Sequence, residues 1–118
     1  MYGIPSDADW SFLVGKELLQ VCIGLHQVAL RFDGEVAVNI ECDFEHLRPA
    51  MDKHSQAALS TQATTLVSLL GSRIERATSE ANQTLALSFT NAEVLKVHDD
   101  SASYESFQVL APGIQIIV

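Results

Sequence analysis

The chain has 118 residues, 47% apolar and 19% charged, which suits one domain with a single core and excludes a disordered chain. Fifteen acids against seven bases give a formal charge of −8 and a pI near 4.7, so nucleic acid and anionic membrane are repelled and a basic protein partner is favoured. No apolar run approaches the ~18 residues that span a bilayer. The opening MYGIPSDADW carries acids where a secretory signal carries lysines, so the expected location is the cytoplasm, with Cys22 and Cys42 as reduced thiols.

Two stretches resemble each other: LVGKELLQVCIGLHQVALRFDGEVAVNIE (Leu13 to Glu41) and LLGSRIERATSEANQTLALSFTNAEVLKVHDD (Leu69 to Asp100). Their offset is 56 or 57 residues, and two copies are too few for a solenoid. A duplicated three-strand unit is predicted, over 13–45 and 69–100, whose halves pack face to face because neither can bury its apolar side alone.

In the first copy a leading strand runs from about Leu18 to Ile23. Val28, Leu30 and Phe32 then alternate with Gln27, Ala29 and Arg31, and Asp33-Gly34 supplies a tight turn with positive φ at both residues. Val36, Val38, Ile40, Cys42 and Phe44 alternate with Ala37, Asn39, Glu41, Asp43 and Glu45, predicting one continuous third strand with an apolar and a polar face. Pro49 fits the first turn of a helix and Gly71 a helix stop, so one or two short helices are predicted over 49–70. In the second copy a leading strand covers about Arg73 to Thr78. Leu85, Leu87 and Phe89 form the next arm, Thr90-Asn91-Ala92 the turn with Asn91 at positive φ, and Val94 to His98 the last arm. The C-terminal segment 104–118 adds two strands, Tyr104 to Leu110 and Ile114 to Val118, joined by the turn pair Pro112-Gly113. The predicted fold class is thus mainly β (α+β): two three-strand antiparallel units packed as a sandwich or half-barrel in a single domain, 1–118.

CIGLH (Cys22 to His26) and CDFEH (Cys42 to His46) share the spacing of a four-ligand zinc site. On a strand, however, residues i and i+4 lie ~13 Å apart, too far to share a metal. The expectation is no metal and no cofactor, with Cys42 in the core and His46 exposed at the strand end. Gly15-Lys16 lacks the upstream glycine and following Ser/Thr of a phosphate loop. Asp99-Asp100 lacks the alternating ligands of a calcium loop. No nucleophile with an adjacent base and orienting acid is evident, so no enzymatic activity is expected.

The polar parity of the third strand remains. Glu41, Asp43 and Glu45 project together, ~6.6 Å apart, and in-line like charges repel. Such a row is either a solvated face that protects against aggregation or a strip that enters the basic cleft of a partner, with Asp99 and Asp100 as its rim. Trp10 and Tyr104 are candidate aromatic anchors, although core packing is the favoured role for both.

Trp10, Phe12, Leu13, Gly15 and Lys16, the repeated hairpin, and the late Tyr104, Glu105 and Phe107 together resemble a family of small bacterial proteins of unknown function, over about residues 10 to 115. The glycine-rich tail that this resemblance implies is not seen before Val118. Size and charge also look like those of immunity proteins of bacterial toxin systems, including contact-dependent growth inhibition. That likeness implies a non-enzymatic protein that neutralises a basic toxin domain, such as a nuclease, through its acidic surface. The alternatives are a small-molecule-binding or scaffold domain that uses the space between the sheets, and a Cys/His metal-dependent enzyme.

Overall fold

The computed structural model describes residues 4, 8–48, 63–80, 83–99 and 106–118. Among these described residues nine strands follow one another: β1 (Leu18–Ile23), β2 (Val28–Phe32), β3 (Val36–Ile40), β4 (Phe44–Leu47), β5 (Ile74–Glu80), β6 (Thr84–Phe89), β7 (Val94–His98), β8 (Phe107–Ala111) and β9 (Ile114–Ile117). They form two antiparallel sheets, a five-stranded one in the order β1-β2-β3-β8-β9 and a four-stranded one in the order β4-β7-β6-β5. Their inner faces meet in one core.

Alternation drives the packing. Val28, Leu30 and Phe32 of β2 and Val36, Val38 and Ile40 of β3 are buried from one sheet; Leu85, Leu87, Phe89, Leu95 and Val97 are buried from the other. Each contributes about 1.5–3 kcal/mol of burial. Phe32 and Phe89, equivalent in the two copies, stack across the middle with ring centres 6.5 Å apart.

The duplication is visible in individual hydrogen bonds. Gly15 N donates to Ile74 O (2.7 Å) and Gly71 N to Leu18 O (2.9 Å); Ile74 N donates to Lys16 O (2.9 Å) and Leu18 N to Ser72 O (3.0 Å). These reciprocal bonds surround the Glu17–Arg73 bridge, the meeting point of the two copies. Gly15 and Gly71 adopt matching φ values of 86° and 85°, a region where a side chain is strained. Even the side-chain contacts repeat: Glu17 N donates to Asp33 Oδ1, and Arg73 N to Thr90 Oγ1.

Four expectations require correction. The third strand does not continue through Glu45: it ends at Ile40, and Phe44 begins β4 in the opposite sheet. Cys42 and Phe44 keep apolar parity because both sheets bury the same side of the chain as it crosses. Symmetrically, β8 follows β7 but pairs with β3, so each copy passes its fourth strand to the other. In the turns, positive φ falls at Gly34 and Glu35 rather than Asp33 and Gly34, and at Ala92 rather than Asn91. Asp33 instead caps Glu17, and Asn91 Oδ1 accepts the Glu93 N–H. Of the predicted helical connection, the part within the described residues is a 3-10 turn, Thr64–Leu69; residues 49–62 lie outside them. A matching 3-10 turn, Ser11–Leu13, opens the first copy. These turns place Leu13, Leu66 and Leu69 in the core, where Trp10 also packs.

Candidate functional site

The two strand exchanges bring four of the predicted acids together. As the chain leaves β3, Glu41 N donates to Ser106 O (2.9 Å), while His98 N at the end of β7 donates to Asp43 O (3.2 Å). Ser106 Oγ donates to Asp99 Oδ1 at 2.9 Å. The next residue on the other side, Glu45 on β4, lies across from Lys96 and brings Oε1 to 2.9 Å from His98 Nε2. His98 Nδ1 in turn meets Thr84 Oγ1 at 2.9 Å. Glu41, Asp43 and Glu45 are exposed and Asp99 is half-buried. They form a cluster around the double crossover rather than a line along one strand. Asp100 and Tyr104 lie outside the described residues. Trp10 is buried, so its ring is a core element and not an exposed anchor.

The cysteine–histidine pairs do not act together. Cys42 is half-buried, and its thiol donates to His98 O at 2.7 Å. Cys22 is half-buried on β1, and His26 is exposed in the following turn. Among the described residues no three His, Cys, Asp or Glu side chains converge as a metal cluster would require.

His46 overturns the expectation of exposure. Its side chain is 5% exposed; Nδ1 lies 2.8 Å from Thr65 Oγ1, and Nε2 lies 2.5 Å from Glu93 Oε1. Glu93 is 12% exposed and also accepts bonds from Ser68 Oγ (2.8 Å) and Asn91 Nδ2 (2.9 Å), with Arg48 Nε 3.7 Å away. Burial holds the His46 pKa below its ordinary value; the bond and charge of Glu93 pull it up, and Arg48 pushes it down. The imidazole is therefore neutral near pH 7.

Strand register shows how unusual this pair is. Val38 opposes Val109 between β3 and β8, as Leu95 opposes His46 between β7 and β4. Phe32 opposes Val36 at one hairpin end, as Phe89 meets Glu93 at the other. The positions of buried Val36 and Val109 in one copy are thus taken by Glu93 and His46 in the other. Ionisable groups where valines suffice carry a desolvation cost. The row hydroxyl–imidazole–carboxylate has the order of a nucleophile, its base and an orienting acid. Here, though, Glu93 is bonded on both oxygens by groups from the 3-10 turn and the β6–β7 turn, and the cluster ties that turn to β4 and β7 as a polar latch.

Sequence reasoning missed this latch because FDGEV and FTNAEV match by placing Glu35 opposite Glu93 across a gap. The strand pairing of the two hairpins matches without the gap, Phe32 facing Val36 as Phe89 faces Glu93, which sets Val36 opposite Glu93.

Two copies of a three-stranded unit, exchanging their fourth strands and carrying a polar latch in one copy, define a duplicated two-sheet β domain. The chain belongs to DUF6188, a family of unknown function, whose model matches residues 11–118. No curated protein and no solved structure matches it. Among the described residues no helix is long and apolar enough to cross a membrane.

Proposed function

We propose that this domain is a non-enzymatic binding protein that takes a basic protein partner on the acidic crossover, and that it serves as an immunity protein against a toxin domain, with a basic nuclease as the fitting kind. The observation that carries the reading is the convergence of Glu41, Asp43, Glu45 and Asp99 at one end of a chain of charge −8. Three of the four carboxylates face water, so pairing them with Arg or Lys of a partner desolvates them only partly. Their main contribution is then to encounter rate and orientation, and only in part to affinity. A rigid double crossover, its backbone groups bonded to each other, presents these charges in a fixed arrangement that a flexible acidic loop lacks.

The test is capture of the product of the neighbouring gene, followed by charge reversal. Glu41→Lys, Asp43→Lys and Glu45→Lys together should slow association with a basic toxin domain at low salt by about tenfold or more and flatten its salt dependence. An association rate and salt slope equal to those of the unaltered protein refute the acidic-crossover reading. Failure of any toxin domain to bind, with a different basic protein captured instead, refutes the immunity role alone.

A further inference from the structure

The charges of this protein are distributed unequally between its sheets. Among the described residues, Arg31 is the only charged one in a strand of the five-stranded sheet, and no acid occurs there. The four-stranded sheet carries Glu45, Glu75, Arg76, Glu80 and Lys96 on its strands. The edges of the two sheets differ in the same way. Charged side chains on an edge strand keep a second strand from adding to it. β4 and β5, the edges of the four-stranded sheet, have such charges. β1, an edge of the five-stranded sheet, has none from Leu18 to Ile23, nor in the following Gly24-Leu25.

β1 also gathers exposed apolar side chains. Leu19 is 57% exposed, Ile23 42% and Leu25, just beyond the strand, 74%. Among the described residues, only the start of β1 is covered on its outer side, where Leu18 bonds to Ser72 and Gly71. The irregularity in its pairing with β2 lies between Leu18 and Gln20, which leaves Gln20 to Ile23 regular. β9, the other edge of that sheet, is equally uncharged, yet its Ile114, Ile116 and Ile117 are half-buried and it presents no large exposed apolar side chain.

We infer that β1 is an interaction edge whose occupant is β1 of a second copy of this chain, the two running antiparallel about a two-fold axis. The electrostatics select the occupant. Two copies of a chain of charge −8 repel over most of their surfaces. They approach at least cost where neither brings an acid. A two-fold axis sets each strand against itself, and an uncharged strand places no like charges opposite each other. Pairing about Val21 joins the regular stretches and brings Leu19, at the irregularity, to the end of the paired strands beside Ile23 of the other copy, covering exposed apolar groups while the free backbone N–H and C=O groups find partners. The inference does not rest on the acidic-crossover reading.

Sedimentation equilibrium of the full chain over a wide concentration range tests it. The expected result is a mass that rises from 12.9 kDa toward the dimer, with tighter association on adding salt, because salt screens the repulsion and leaves the uncharged contact intact. Leu19→Lys with Ile23→Lys should weaken association at least about tenfold, with the sheet circular-dichroism signal retained. Should that double variant lose its sheet signal, Gln20→Lys, at an exposed site within the paired stretch, takes its place with the same expectation. A monomer at every concentration and salt level overturns the inference. Equal association of the lysine variants overturns it too, as does loss of association with Gln115→Lys on β9.

Discussion

Restoring the valines of the first copy to the second is the most direct probe of the latch. His46→Val leaves Glu93 bonded to Ser68 and Asn91 but removes its shortest partner. With the imidazole neutral, what is lost is a hydrogen bond to a buried carboxylate, worth about 1.5–3 kcal/mol. The Thr65 contact is lost with it, so the upper part of that range, about 2–3 kcal/mol, is expected. Glu93→Val strands the imidazole and both donors and should cost a similar amount. The double variant His46→Val/Glu93→Val recreates the Val36–Val109 arrangement and should lie within about 1 kcal/mol of the wild type or above it. Urea unfolding at pH 7 of the four proteins gives the cycle, with an expected coupling of at least about 1.5 kcal/mol. A His46→Val cost near that of a surface change, about 0.5 kcal/mol or less, refutes the latch. So does a double variant as damaged as the sum of the two singles.

The latch also fixes a pH response. The His46 pKa is lowered in the folded chain, so the unfolded chain takes up a proton first, near 6.5. Stability from this residue is complete above 6.5 and falls as pH drops from there toward the folded value, by up to about 1.4 kcal/mol per unit. The difference in urea midpoint between wild type and His46→Val should shrink over that window and stay constant above it. Ala92 holds φ at 71°, so Ala92→Gly should raise stability by about 0.5–1 kcal/mol, read as a higher melting temperature. Gly71→Ala, at φ 85° with open space around it, should lower stability by about 1–2 kcal/mol through backbone strain alone. Glu45→Gln breaks an exposed pair with His98 and should change unfolding free energy by less than about 1 kcal/mol.

The strands were legible because alternation is a local signal. β2, β3, β6 and β7 lie where the apolar parity of their residues puts them, and the Gly15 and Gly71 equivalence follows from LVG and LLG. The crossover at Glu41 to Asp43 was not legible. A chain that passes between two facing sheets keeps its apolar side inward throughout, so Ile40, Cys42 and Phe44 read as one uninterrupted strand. His46 was hidden for the same reason in reverse. A histidine at the end of an acidic stretch looks solvated until Glu93 and Thr65 arrive from distant segments to enclose it. Glu41, Asp43 and Glu45 stand out in the sequence as one polar parity, and the fold changes their arrangement from a row to a cluster.

The exchange of fourth strands has a consequence for how the molecule comes apart. β4 belongs by sequence to the first copy and by hydrogen bonding to the second, while β8 does the opposite. Neither copy completes its own sheet, so opening one exposes an edge and half the core of the other. Unfolding is therefore expected as a single transition, with no species in which one repeat survives alone. The interlock converts two similar, individually insufficient halves into one cooperative unit.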